Sequence, residues 1–395
     1  MERALWLVIP AAQHESGGWI DDTLAQRADE AGLTARLDLA GKFPRLRVEV
    51  VRGEDAEEVA RDLYIRRGWT DGLPIIPPTT DKVAAMVDAG GIPAKTLLAT
   101  LAPLNGMATV ERIAANAVMA GCRPDYFPVV LTAVRALAQR EFNLYGVQTT
   151  DENVAPLLIV NGPARTRLEL NSSFGLLGPG WRANATIGRA VRLIMHNLGG
   201  GWPAAVAFAG LGPPGRYTLC VAENEEQSPG APRHVDQGLA ASDSALTVMR
   251  AETCINITGE LAEIASAMSS AASLFSVLHN GKGCVILAPA TAASLAKDGW
   301  SKQDVQTWLW ENGQMPTETW KSSWVFRKAV VPDQWPERVW RASETGRIPV
   351  TVSPEDITVI VAGGDVPIAQ HAWLPSWGFP PCRITQKIDF PAPAP

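Results

Sequence analysis

The segment Gly178-Pro179-Gly180-Trp181-Arg182-Ala183-Asn184 has the residue types of an anion-binding loop-to-helix junction. Its glycines and proline let backbone approach a ligand closely, and the first turn of a following helix presents N–H groups at its positive end. Asn184 is expected to cap a helix over about 184–197, stopped by Gly199-Gly200-Gly201. At 100° per residue, Ile187, Val191, Ile194, Met195 and Leu198 share one face. Arg182, Arg189, Arg192 and His196 share the opposite one. No acid interrupts this basic stripe, whereas a merely solvated face usually mixes signs. It therefore reads as a surface for a carboxylate or phosphate, with Asn184 and Thr186 as polar neighbours and an ordinary solvated face as the competing reading. No Gly-Lys-Ser/Thr follows the glycines, so this is not a phosphate-binding loop of the nucleotide-hydrolase type, nor is it a dinucleotide fingerprint.

The reacting group must come from elsewhere in the chain. Asp71, in the turn Trp69-Thr70-Asp71-Gly72-Leu73-Pro74, could act as general base beside Thr70, although such an aspartate often only caps its own turn. Cys122, in Ala120-Gly121-Cys122-Arg123-Pro124, sits at a helix break with Arg123 beside it, a setting that favours thiolate. Most lone cysteines among apolar residues are instead inert core. His196 is the stripe's proton carrier. Asn161-Gly162-Pro163 and Gly363-Gly364-Asp365 both end strand-like runs, where α/β proteins place ligands, so Asn161 joins the binding set. His371 is a lone histidine, more often structural. Glu223, Glu225, Glu226 and His234, with Asp236, have the chemistry of a divalent-metal site but no recognised ligand spacing. A solvated loop is the better reading, and no metal or other cofactor is expected.

These residues need a scaffold of interleaved strands and helices. Residues 1–57 read as a small appended unit, with strands at Leu5–Ile9 and Leu46–Val51 and a helix at Thr23–Ala31. Residues 58–395 read as the main domain. A helical pattern covers 110–140 with a break at Gly121–Pro124, and helices are expected at 260–274, 290–297 and 302–311. Strands are expected at 157–160, 217–222, 245–249, 284–287 and 358–361. Their irregular spacing favours a mixed-sheet α/β or α+β fold over a barrel or a doubly wound sheet. Nine of the fourteen tryptophans fall in the proline-interrupted stretch 300–377. They are expected to form an irregular layer that fills gaps under loops, caps a cleft or serves as a homo-oligomer interface.

Composition sets the outer limits. The chain has 395 residues, 46% hydrophobic and only 19% charged, enough apolar material for a sizeable core. A net charge of −6 argues against a nucleic-acid partner and means that an anion site has to be built locally. Five scattered cysteines signal neither a disulfide framework nor structural zinc, which fits a reducing, cytoplasmic setting. The apolar run Ala4–Pro10 reads as a first strand rather than a signal peptide, and no run approaches the length of a membrane helix.

Several strings carry a resemblance: Trp69–Pro74 with Pro77-Pro78-Thr79, Asn116–Tyr126, Pro156–Pro163, Gly178–Ala190, Gly299-Trp300-Ser301 and Val361-Ala362-Gly363-Gly364. Together, over roughly residues 60–375, they resemble a poorly characterised bacterial group. Its members occur beside, or joined to, a selenoprotein-type module with a Sec/Cys-Gly-Ser-Cys motif. No Cys-Gly-Ser-Cys occurs in this chain, so the redox role of the neighbouring module does not carry over. Cys122 is the one thiol within a resembling string. The expectation is a cofactor-independent lyase or hydrolase acting on a small anionic molecule. A thiol-dependent redox or transfer protein using Cys122, and a non-catalytic binding subunit, are the alternatives.

Overall fold

A computed structural model describes residues 3–11, 48–329 and 335–391. Contacts divide the chain into two compact units. One comprises the described residues of Met1–Asn153, Trp181–Cys220 and Ile388–Pro395; the other comprises Val154–Gly180 and Val221–Lys387. The helix expected at Thr23–Ala31 lies outside the described residues.

The first unit is mainly helical. Its longer helices are α1 (Ala56–Arg66), α2 (Thr80–Gly90), α3 (Val110–Ala120), α4 (Phe127–Leu137) and α5 (Arg182–Asn197). Two antiparallel pairs accompany them: β1 (Arg3–Val8) with β2 (Val48–Gly53), and β3 (Leu97–Leu101) with β4 (Gly106–Thr109). Helix α3 is buried along nearly its whole length and packs against α2, α4 and α5. Its Ala-rich run Ala114-Ala115-Asn116-Ala117 keeps side-chain volume small enough for three neighbours to approach. The expected break at Gly121–Pro124 is real. Gly121 adopts φ 92°, which terminates α3 in the left-handed region, and Pro124 starts the short turn that leads into α4.

The second unit is a mixed α/β assembly with two four-stranded sheets. One runs in the order β14 (Ile384–Lys387), β7 (Ala245–Ala251), β5 (Ala155–Asn161), β6 (Cys220–Ala222), the first residue of β6 being counted with the first unit. The other runs β12 (Thr358–Val361), β9 (Cys284–Leu287), β13 (Gln370–Leu374), β8 (Ile255–Thr258). Here β12 and β9 are parallel, while β13 is antiparallel to both β9 and β8. Buried runs such as 157–161 and Ala245–Ala251 explain why these strands read as continuous apolar stretches rather than alternating ones. A minor pair, β10 (Met315–Pro316) with β11 (Arg347–Ile348), lies in the tryptophan-rich stretch.

The apolar core of this unit joins one face of the β12–β9–β13–β8 sheet to helices α6 (Leu261–Met268), α7 (Leu274–His279), α8 (Pro289–Lys297) and α9 (Lys302–Asn312). Trp320 and Trp373 are buried in it, and Trp300, Trp308, Trp310 and Trp335 pack against it. Most of the tryptophan-rich region is therefore core, with Trp324 and Trp340 left exposed. Gly283 makes room for Trp373, since a Cβ there would sit 1.9 Å from the indole edge. The indole N–H donates to Ser273 Oγ at 3.0 Å. No single helix among the described residues is long and apolar enough to cross a membrane. The apolar residues of α6 and α7 belong to the core just described.

His279 ends α7 among the rings of Phe275, Trp377 and Phe379. Burial, and then the Arg250 guanidinium, push its pKa down to about 4. Between that value and the ordinary 6.5, the unfolded chain binds a proton that the folded chain refuses. Stability supplied by neutral His279 is thus complete above pH 6.5 and is lost as the pH falls towards 4. Calorimetry of His279→Gln should show a smaller drop in Tm between pH 7 and pH 4.5 than the parent chain shows. An equal drop would mean that His279 does not contribute to the acid lability.

Candidate functional site

Helix α5 carries the site. Ile187, Ala190, Val191, Ile194 and Met195 are buried on its inner face. Gly188 lets the chain at 218–219 lie directly on the helix, because a Cβ at this position would meet Thr218 Oγ1 at 2.2 Å and Leu219 N at 2.9 Å. Two hydrogen bonds fasten that crossing: Thr218 Oγ1 donates to Asn184 O at 3.0 Å, and Asn184 Nδ2 donates to Cys220 O at 3.1 Å. The segment ending at Tyr217 is thereby fixed beside the helix.

Arg182 is exposed at the helix start, while the rest of the basic stripe is largely covered and grips other parts of the first unit. Arg189 forms a two-pronged ion pair with Asp71, Nε to Oδ2 at 2.7 Å and Nη2 to Oδ1 at 2.8 Å, and also donates to Pro74 O at 2.9 Å. Both side chains are largely buried, so the pair is weakly screened. One turn pair further on, His196 Nε2 meets Gly68 O at 2.7 Å. A carbonyl only accepts, so Nε2 carries a proton. Asn197 Nδ2 donates to Trp69 O at 2.9 Å and to Asn116 Oδ1 at 2.7 Å. Asp71 Oδ1 also accepts from Leu73 N at 3.2 Å, so the expected turn cap and the ion pair coexist.

A cavity of about 770 Å³ opens beside this clamp. It is lined by Thr70, Asp71, Gly72, Arg192 and His196, and by the segment 203–217 including Phe208, Arg216 and Tyr217. Arg192 donates to Gly201 O at 2.7 Å. Burial and then the neighbouring Arg216 guanidinium push the pKa of Arg192 down to about 10, with Asp71 acting in the opposite sense. Burial lowers that of Arg216 as well. Two guanidiniums that repel each other across one cavity are a cradle for an anion. The cavity adjoins the carboxyl-terminal half of α5, where the helix dipole disfavours anions, so the arginines must supply the field. Ala204, on the cavity wall, has φ 63°, a left-handed conformation uncommon for a residue with a Cβ.

The expected site residues therefore separate. Thr70, Asp71, Arg192 and His196 meet at the cavity, and Arg189 sits behind Asp71. Arg182, Asn184 and Thr186 do not line it: Arg182 Nε donates to Gly121 O at 3.0 Å and Thr186 Oγ1 to Arg182 O at 2.8 Å. Asn184 is not the helix cap, since α5 begins at Arg182 after Trp181 and the Asn184 side chain is buried against segment 218–220. Cys122 has the setting of the inert core cysteine, one of the two readings its sequence context offered, rather than that of a thiolate. Its Sγ donates to Thr186 O at 3.2 Å, burial pushes its pKa up to about 12, and it does not line the cavity. Arg123 spends its charge on Asp125 at 2.7 Å and stacks over Tyr126, so it does little for that thiol. Arg216 and Tyr217 were missed, although Gly212-Pro213-Pro214-Gly215-Arg216 shows the same juxtaposition of glycine, proline and arginine that drew attention to Arg182.

Asn161 belongs to the second unit, fully buried, donating to Glu223 Oε2 at 2.6 Å and Glu225 Oε1 at 2.9 Å. Glu225 and Glu226 also grip the Arg165 guanidinium at 3.0 and 2.9 Å. Of the acids read as a solvated loop, Glu223 is buried and Glu225 largely covered, whereas Glu226 and Asp236 are exposed as expected. No group of three or more His, Cys, Asp and Glu among the described residues is arranged to hold a metal ion. His371 is structural in setting: Nδ1 accepts from Ala288 N at 3.0 Å, and Nε2 lies 3.0 Å from Gly259 O.

Two substitutions test this construction. By helix propensity alone, Gly188→Ala should stabilise the protein by about 1 kcal/mol. The clash with Thr218 and Leu219 should instead destabilise it by roughly 1–3 kcal/mol in urea unfolding, and Thr218→Ala should recover part of the loss. Arg189→Lys keeps the charge but not the two-pronged geometry, and should cost about 1.5–3 kcal/mol; a change below about 0.5 kcal/mol would show the clamp to be unimportant. No protein-family model, no curated protein and no solved structure matches this chain, so what the site does has to be argued from its own geometry.

Proposed function

We propose that the first unit is a cofactor-independent enzyme, a lyase or hydrolase, acting on a small molecule that bears a carboxylate or phosphate. The observation that carries this reading is the pairing of Arg192 and Arg216 on the wall of a cavity that Asp71 and His196 also line. The two arginines hold the anionic group of the substrate. Asp71 acts as general base: Arg189 keeps it oriented, Oδ1 is taken by Arg189 and Leu73 N, and Oδ2, which accepts from Arg189 Nε, has a second lone pair for a substrate proton or an attacking water. His196, its Nε2–H held by Gly68 O, is the second proton-transfer group. Thr70 and Tyr217 add polar contacts at the wall and the rim. The buried, proton-retaining state of Cys122 supports this reading over the thiol-dependent one.

The test begins with binding. Titration calorimetry with inorganic phosphate and with succinate should show saturable uptake of at least one, and Arg192→Gln and Arg216→Gln should each weaken it about tenfold or more, equivalent to ~1.4 kcal/mol. Small carboxylates and phosphate esters are then screened for turnover. Asp71→Asn should retain binding while turnover falls by about 10²–10⁴. Undiminished turnover in Asp71→Asn, or binding indifferent to both arginine changes, would refute the proposal.

A further inference from the structure

The second unit holds a separate cavity of about 580 Å³, and its walls have a different chemistry. Its lining includes the apolar residues Leu287, Leu295, Trp300, Val305, Val359 and Val361. It also includes the charged residues Arg233, Arg383, Lys302, Asp236 and Glu355. Three cations face two carboxylates there, so the lining carries one uncompensated positive charge.

The pairing within that lining shows which cation is left over. Lys302 Nζ is bound to Asp236 at 2.7 Å and to Ala231 O. The Glu355 carboxylate accepts from Gln303 Nε2 at 3.2 Å. Arg383 Nη1 donates to Glu355 O and Thr358 Oγ1, both at 2.9 Å. Arg233 is 5% exposed, and its Nε and Nη2 have no hydrogen-bond partner. Its one tie to a carboxylate runs through the backbone, Arg233 N to Glu223 Oε2 at 2.8 Å. A buried guanidinium with unmet donors costs several kcal/mol unless something pairs with it. Arg383 aggravates the cost: burial and then this second guanidinium push the pKa of Arg233 down to about 10. Helix α9 adds to the positive field, because Ser301, Lys302 and Gln303, at its first turn, are part of the same wall.

From this geometry we infer that the second-unit cavity is a binding site for a monocarboxylate with an apolar body, its anionic head at Arg233 and Arg383 and its hydrocarbon against Trp300, Leu287 and Val359. A single net positive charge suits one carboxylate better than a dianionic phosphate. The volume lies in the range of small-molecule sites, and the mixture of apolar wall and few convergent polar groups is what such sites share. The site is independent of the one proposed for the first unit, with which it has no residue in common.

The probe is sodium phenylacetate, measured by titration calorimetry on the full chain. Acetate, which lacks the body, and 2-phenylethanol, which lacks the charge, are the comparators. Phenylacetate should bind one per chain, and each comparator at least tenfold more weakly. Arg233→Met keeps the side-chain volume without the charge; it should abolish or weaken binding at least tenfold while leaving Tm unchanged or raised. Should that variant fail to fold, Arg383→Gln serves in its place, with the same loss expected. Binding should persist in the Arg192→Gln/Arg216→Gln double variant, which separates this site from the first. Absence of phenylacetate binding, equal affinity for 2-phenylethanol, undiminished binding in Arg233→Met or Arg383→Gln, or loss of binding in the double variant would each overturn the proposal.

Discussion

The first unit depends on the grip of helix α5 on the loop Gly68–Pro74. Three residues of one helix, Arg189, His196 and Asn197, reach Asp71, Gly68 and Trp69 respectively. Their spacing of seven and eight residues is two helical turns, so a single face delivers all three contacts. Each contact satisfies a polar group that burial would otherwise leave stranded. The clamp also continues inward through Asn116 to Pro10 O, which ties the N-terminal strand region to the same network. Loosening it would release Asp71 and Thr70 from the cavity together, and that makes a structural contact a functional one.

The clamp explains why the arginines of one helix do different work. Arg189 neutralises and orients a carboxylate, and Arg192, one turn on, is left to share the cavity with Arg216. The Asp71–Arg189 pair carries no net charge, so the field in the cavity comes mainly from Arg192 and Arg216. An acidic protein can concentrate an anion only by such local construction.

The second unit meets the problem of burial in another way. Its acids Glu223, Glu225 and Glu226 are brought against Asn161, Arg165 and the backbone N–H of Arg233. Glu223 is fully buried, and burial raises its pKa. Large indoles fill the spaces under irregular connections, where their area does most to hold loops that have few ladder hydrogen bonds. This network leaves Arg233 Nε and Nη2 without a hydrogen-bond partner.

Much of this was legible in the sequence. The α/β class, the strands at 157–160, 284–287 and 358–361, the break at Gly121–Pro124 and a helix over about 184–197 all follow from local apolar periodicity and turn residues. These signals are local because they depend on side-chain spacing within a single element. The basic stripe of that helix was legible for the same reason, and so was Asp71 as a turn residue of unusual chemistry. What spacing cannot tell is what a face meets. Tertiary packing alone decided that Arg189 pairs with Asp71, 118 positions away, and that Asn184 turns inward to Cys220 O. It also sealed Cys122 as a neutral thiol, placed Asn161 in the other unit, and brought Arg216 beside Arg192. Each of these depends on which surfaces close on one another and exclude water, and that is a property of the folded chain rather than of any segment of it.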